Sequence, residues 1–253
     1  QIASTNPAND EGWTFVNDLA VMGNRIYAAT NGGLRYSDNG GESWSFVENI
    51  DHVEASAIKV NGEKAIAVVG TNVYVKNGDS FVITNETLPT ADVNKIVAIA
   101  PSDANYMYVC YLTATYGTGT IYYTSDGGEN WSEALPASST YDIFGSRGII
   151  DNAIAVYPND PQRLLIGGQN LWKLENVSGS GYYYPMCISS SGHPLSTLPE
   201  DGTRFSYCHL GVQNIVFNPN NVGEFYVGTE GGVFKGEYYE GAYSFKNTNR
   251  YFE

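Results

Sequence analysis

Five times along the chain, two apolar strands are joined by a short connection built from Pro, Asn, Asp or Gly, and this recurrence restricts the fold more than any other feature. Three copies share one spacing: V-A-I-A-P-S-D-A-N-Y-M-Y-V from Val97, I-A-V-Y-P-N-D-P-Q-R-L-L-I from Ile154, and I-V-F-N-P-N-N-V-G-E-F-Y-V from Ile215. Pro fixes φ and Asp or Asn bonds its own backbone, so each reads as a tight strand-to-strand turn. Two earlier copies carry shorter turns, Gly23-Asn24 between Leu19 and Thr30 and Asn61-Gly62 between Ala57 and Thr71. An Asn-Gly pair between alternating apolar runs is a strong hairpin signal.

The middles of the second strands, Tyr27, Ala67, Tyr108, Leu165 and Tyr226, are separated by 40, 41, 57 and 61 residues. A period of about 40 with insertions predicts four-stranded antiparallel blades of an all-β propeller. Third strands follow at GLRYSD, NVYVKN, TIYYTSD, LWKLEN and GVFKGE, and fourth strands at SWSFVE, SFVITN, NWSEAL, YYYPMC and YSFKNT. The units span residues 12–50, 51–89, 90–137, 148–190 and 207–253, within a single propeller domain over 1–253 or a portion of one. The ending SFKNTNRYFE reads as an outer strand and exit loop. No terminal strand completes the first unit unless GWTFV, Gly12 to Val16, does so. The expectation is a segment of a longer ring, of seven blades, with additional blades or domains as its neighbours; a closed five-bladed ring is the alternative.

Composition agrees with strands and turns: 20 tyrosines, 28 glycines and 16% charged residues leave little material for helix. A net charge of −14 with only 13 Lys and Arg argues against nucleic acid, whose phosphates demand clustered cations. No run of about 18 apolar residues predicts a transmembrane segment. The opening at Gln1, without Met or an apolar signal core, reads as a mature or trimmed terminus and is compatible with secretion. Cys110, Cys187 and Cys208 show no metal-ligand spacing; buried thiols are the first expectation, and a Cys187–Cys208 bridge is the alternative. Neither a metal nor a cofactor is expected. The glycine pairs Gly32-Gly33, Gly127-Gly128 and Gly231-Gly232 lack the following helix and Lys-Ser/Thr of a phosphate loop.

Between the third and fourth strands of the first and third units lie YSDNGGESW, Tyr36 to Trp44, and YTSDGGENW, Tyr123 to Trp131. Short polar side chains accept backbone N–H bonds across such a turn, Gly supplies positive φ and Trp packs between sheets, so the predicted role is a hairpin staple. Both resemble the Asp-box, or BNR repeat, Ser/Thr-x-Asp-x-Gly-x-x-Trp. Thr124, Asp126, Gly128 and Trp131 match throughout; Ser37, Gly41 and Trp44 match, with Asn39 in the Asp place. Units two and five keep worn versions that end in Phe81 and Phe245. Asp-box propellers include sialidases, sortilin-type receptors, photosystem assembly factors and xyloglucan hydrolases. The segment Val212 to Gly236 looks most like the last group and its bacterial relatives, with Glu230 where Asp is usual.

In propellers of this kind the ligand face is built from connections between blades and from the turns joining second to third strands. The resemblance therefore implies a face at Asp51 to Glu54, Thr113 to Gly119, Tyr141 to Asp151, Ser190 to His209, and Thr229-Glu230. Weak catalytic candidates there are Asp51, Asp142, Asp151 and Glu230, with Asp201 a further carboxylate, because a glycosidase needs two carboxyl groups a set distance apart. Candidate ligand-face residues are His52, Arg147, Tyr182, Tyr183, Tyr184, Arg204 and His209. The three tyrosines offer sugar-stacking rings, although a strand alternating buried and exposed Tyr is the simpler reading. The xyloglucan hydrolases place a catalytic Asp in a T-D-x-G-G turn; here ATNGGLRY presents Asn31, which cannot serve as a general base. Sialidases need an Arg-Ile-Pro-like start and three clamping arginines, whereas this chain has Tyr27 after Arg25-Ile26. The sequence thus favours a secreted or cell-surface recognition or scaffold module binding a protein or a glycan, without catalysis; a glycoside hydrolase of the xyloglucanase kind is the alternative.

Overall fold

The computed structural model describes residues 11–84, 88–89, 93–112, 119–137, 141, 143–145, 148–189 and 207–249. Among them, twenty strands form five four-stranded sheets, and helix is confined to short 3-10 turns at Glu11–Trp13 and Val177–Gly179. The first sheet is β1 (Val16–Met22), β2 (Arg25–Thr30), β3 (Gly33–Ser37) and β4 (Ser45–Phe46); the second is β5 (Ala55–Asn61), β6 (Lys64–Val69), β7 (Asn72–Asn77) and β8 (Ser80–Ile83). The third holds β9 (Lys95–Ile99), β10 (Met107–Tyr111), β11 (Ile121–Thr124) and β12 (Ser132–Leu135). The fourth holds β13 (Ala153–Tyr157), β14 (Asp160–Gly167), β15 (Leu171–Asn176) and β16 (Tyr183–Ser189), and the fifth β17 (Val212–Asn218), β18 (Asn221–Thr229), β19 (Gly232–Tyr239) and β20 (Ala242–Asn247). Strands are neighbours in chain order within every sheet, the up-and-down meander of a propeller blade. No helix among the described residues is long and apolar enough to cross a membrane.

The turn chemistry explains why the strands pair where they do. Gly23 and Gly62 take φ of 58° and 59° in the two short hairpins, a region open to glycine. In the longer connections, Asp103, Asp160 and Asn218 each accept the N–H two residues ahead at 2.9–3.0 Å. Gly12 to Val16 does not complete the first blade. Gly12 lies in the 3-10 turn, and the first sheet has four strands of its own. The turn instead crosses the sheet's β2–β3 connection, where Gly12 accepts from the Gly32 N–H and Phe15 from the Asn31 N–H.

By packing, the chain divides into two compact units: 1–99 with 103–110 and 122–132, and 100–102 with 111–121 and 133–253. The core of the first lies between blades one and two. Tyr27 and Ala29 of β2 point the same way by strand alternation and meet Ala55, Ile58, Ala65, Ala67 and Phe81 of the second blade. The Tyr27 and Phe81 rings meet edge to face at 5.8 Å. In the second unit, Tyr157 and Leu165 of blade four pack against Ile215, Phe225, Val227, Phe234 and Phe245 of blade five. Burying such side chains stabilises each interface by roughly 1.5–3 kcal/mol apiece.

The first strands of blades one, two and five share a register shift, between Val16 and Asp18, Ala55 and Ala57, and Val212 and Asn214. Each bulge leaves an extra residue beside the β2–β3-type turns and re-aims its side chain. Asn17 donates to the Ala55 carbonyl at 2.9 Å and Gln213 to a carboxylate oxygen of Asp151 at 3.3 Å.

Candidate functional site

The second unit gathers several of the expected face residues around one tripeptide, Gly211-Val212-Gln213. Gly211 accepts from the Glu230 N–H at 3.1 Å, and the Glu230 side chain lies over it so closely that a Cβ would sit 2.5 Å from Glu230 Cγ. Val212 packs on Gly167 and donates to the Gly168 carbonyl at 2.7 Å. Gln213 reaches Asp151, whose carbonyl oxygen lies against Gly168. The His209 ring covers Gly231, leaving no space for a Cβ, while its Nδ1 sits 2.8 Å from the Leu210 carbonyl oxygen. His209 and Glu230 thus both lie at the β18–β19 turn, with Glu230 exposed and His209 half-buried. Asp151 is connected to them through Gln213 but is 0% exposed.

That turn has a twin in the first blade. Thr229 Oγ donates to the Gly232 carbonyl at 2.9 Å and accepts from Gly231 N–H; Thr30 Oγ does the same with Gly33 and Gly32. The residue between differs in duty. Asn31 donates to the Glu11 carbonyl at 3.1 Å and accepts from the Phe15 N–H at 3.1 Å, clasping the preceding segment. A carboxylate cannot make the first of those bonds, which accounts for the amide where an acid would be needed for hydrolysis.

In the first unit Asp51 and His52 are exposed, and His52 stacks on Phe46 with ring centroids 3.9 Å apart. Phe46 also carries the Arg35 guanidinium 4.2 Å from its centroid; Arg35 lies 5.0 Å from the Trp13 centroid, and Trp13 meets Trp44 edge to face at 4.9 Å. Arg35 is 1% exposed, and aromatic faces compensate a cation so placed. Sequence reasoning missed this column, because nothing in an alternating strand announces that an arginine will be the buried residue. It missed Gln213 as well, since a bulge is a property of two strands in register.

Asp142, Arg147, Asp201, Arg204 and the stretch 113–118 lie outside the described residues. Tyr183 is 0% exposed, while Tyr182 and Tyr184 are 39% and 53% exposed, the alternation expected of a strand. The Tyr182 and Tyr184 rings meet edge to face at 5.1 Å. Cys187 and Cys208 are free thiols; Cys208 and Cys110 are buried, but Cys187 is exposed, which corrects the expectation of three buried thiols. It sits on β16, the outer strand of its sheet among the described residues.

The two tryptophan turns are staples. Thr124 Oγ donates to Asp126 at 2.7 Å and accepts from Gly128 N–H at 3.1 Å; Asp126 accepts from Asn130 N–H at 3.0 Å; Trp131 Nε1 donates to the Gly128 carbonyl at 3.2 Å. Ser37, Asn39, Gly41, Ser43 and Trp44 repeat the pattern at 2.8, 2.9, 3.0 and 3.1 Å. Desolvation pushes the Asp126 pKa up, yet the Asn130 N–H, the Thr124 hydroxyl and the Asn130 amide outweigh it and bring it down to about 2.

Comparison with known proteins agrees on the fold. A GH74 enzyme from Niastella koreensis superposes with a TM-score of 0.63 at 17% identity, over 90% of this chain and 38% of that one. The GH74 xyloglucanase from Xanthomonas campestris gives 0.59 at 17% identity, over 92% and 38%. YCF48 from Cyanidioschyzon merolae gives 0.51 at 17%, over 88% and 66%. The chain is an all-β protein of propeller blades. It spans well under half the length of the two GH74 enzymes. Neither a protein-family description nor any curated protein matches it.

Proposed function

We propose that the chain is an Asp-box propeller module, secreted or on the cell surface, that recognises a protein or a glycan without catalysing a reaction. Asp151 carries this reading. It is the carboxylate best tied to the face, and it is wholly buried and engaged by Gln213, where neither water nor a glycosidic oxygen reaches it. Asn31, at the other turn of the same design, is occupied by the segment before β1. Among the candidate residues, the second unit offers Glu230 and His209 to solvent at one turn, and the first unit, taken by itself, offers His52 on Phe46. These groups suit hydrogen bonding and stacking. The extracellular domain of a putative one-component system from B. thetaiotaomicron, similar at 13% identity with a TM-score of 0.59, supports an extracellular setting. YCF48 bound to D1 peptide, at 13% identity and 0.51, supports a peptide-sized ligand.

The second reading, a glycoside hydrolase or a piece of one, has the likeness to GH74 enzymes in its favour. Screening β-glucans and sialosides for both retention and product release separates the two. The expected result is retention without turnover, weakened about tenfold by Glu230→Gln and by His209→Ala. Turnover that Asp151→Asn or Glu230→Gln abolishes would establish hydrolysis instead.

A further inference from the structure

Two cysteine sulfurs converge on a single residue, Ser189. Cys187 Sγ lies 3.5 Å from the Ser189 carbonyl oxygen. Cys208 N–H donates to the Ser189 hydroxyl at 2.9 Å, that hydroxyl donates to the Cys208 carbonyl at 3.2 Å, and Cys208 Sγ lies 3.6 Å from the Ser189 hydroxyl oxygen. The segment before β17 is therefore held by both of its backbone groups against the end of β16. Ile188 is the extra residue of a bulge there, since Trp172 pairs with Cys187 and Leu171 with Ser189. A bulge adds twist and re-aims the side chains beside it, and among the described residues β16 is the outer strand of its sheet.

We propose that Cys187 and Cys208 are a site of intrachain disulfide formation, closed by exchange with a small-molecule disulfide such as oxidised glutathione. The exposed Cys187 loses its proton and its sulfur attacks one sulfur of the reagent; a new S–S bond forms, the old one breaks, and one glutathione leaves as thiolate and takes up a proton. Cys208, 3% exposed, then attacks the Cys187 sulfur after losing its own proton, and the second glutathione leaves. Two protein thiols are oxidised and one disulfide is reduced to two thiols. Cys110 is 0% exposed in the middle of β10 and takes no part. Partial desolvation raises the pKa of the exposed Cys187, and burial pushes that of Cys208 up to about 12, so closure is slow near neutrality and quickens as pH rises.

The bond would fasten the segment that carries His209 to the outer strand of blade four, steadying one wall of the candidate face without adding a contact to any ligand. It does not depend on what that ligand is.

The test uses the native chain incubated with oxidised and reduced glutathione at about pH 8, then denatured, alkylated and weighed. The expected product is lighter by two hydrogens, takes one alkyl group, on Cys110, and yields a linked Cys187–Cys208 peptide that reduction separates. Its melting temperature rises by about 5–10 °C, as closing a loop of this length predicts. In a Cys208→Ser chain one glutathione stays on Cys187. Persistent glutathione on Cys187 of the native chain, dimers joined through Cys187, or three alkylated thiols after exchange would each overturn the assignment.

Discussion

The turns Ser37 to Trp44 and Thr124 to Trp131 are one device in two surroundings. Their internal bonds agree within 0.3 Å, with one reversal of polarity. In the first, the Asn39 amide donates to the Ser43 hydroxyl at 2.9 Å; in the second, the Asp126 carboxylate accepts from the Asn130 amide at 2.8 Å. Donor and acceptor have exchanged ends, and the bond survives. What packs outside the turn differs far more. A Cβ at Gly128 would press on Val75 of the second blade, whereas one at Gly41 would meet, among the described residues, only its own Trp44 within 4 Å. The first turn is met by Trp13 and tied to β2 through a two-pronged Arg25–Asp38 pair at 2.7 and 2.8 Å. The local sequence sets the hydrogen bonds of such a turn, and its neighbours set how much the fold depends on it.

The largest expected difference follows from the two glycines. Gly128 and Gly41 have nearly the same φ, 98° and 93°, so alanine is strained equally at both. An alanine Cβ at Gly128 would also sit 2.8 Å from a Val75 methyl. Gly128→Ala is expected to cost about 3 kcal/mol and Gly41→Ala about 1 kcal/mol in urea denaturation. Equal costs would mean that the neighbouring blade does not matter.

Truncating the polar residue comes next. Asp126→Ala removes acceptors for Thr124, for the Asn130 N–H and for the Asn130 amide, and should cost about 2 kcal/mol. Asn39→Ala should cost nearer 1 kcal/mol, because its bonds to Ser37 and Ser43 are between neutral groups, whereas those of Asp126 are made to a carboxylate. Ligand affinity should stay within about twofold in both; binding lost without stability would show that the turn belongs to the ligand site. Trp13→Ala tests the substitute cover. It is expected to cost about 1.5 kcal/mol through lost contact with Trp44 and Arg35, while leaving the bonds of the second turn intact.

The same contrast between local and tertiary information explains what could be read from the residues alone. Strand positions were legible because alternation and turn chemistry are local: Tyr183 is buried between exposed Tyr182 and Tyr184, as period two requires. The staples were legible for the same reason. Arg35 was not, because its burial depends on Trp13 and Phe46, residues 22 positions before it and 11 after it. Asp151 read as a candidate acid on a connecting loop, and its bond to Gln213 depends on a bulge in β17 that no single strand encodes. The placing of His209 at the turn that carries Glu230 required the segment before β17 to fold back over Gly231, which the spacing of the two residues does not disclose.

The smallest expected effect concerns acid. Asp126 titrates near 2 in the fold and near 3.8 when unfolded, so its contribution to stability is whole above about pH 4 and disappears as pH falls through 2. Because the carboxylate is largely solvated, screening reduces that contribution to about 1 kcal/mol. Asn39 has no proton to exchange, and its turn carries no such dependence. Asp126→Asn should therefore flatten the stability profile between pH 4 and 2, at little cost near neutrality, because the Asn130 amide can turn to present its oxygen to the new donor. Asn39→Asp should do the reverse and add an acid-labile step, since the Ser43 hydroxyl can donate to the new carboxylate. Denaturant midpoints measured across that range for the two variants and the native chain decide the matter: profiles that stay superimposable would mean that neither turn's central carboxylate or amide senses the fold.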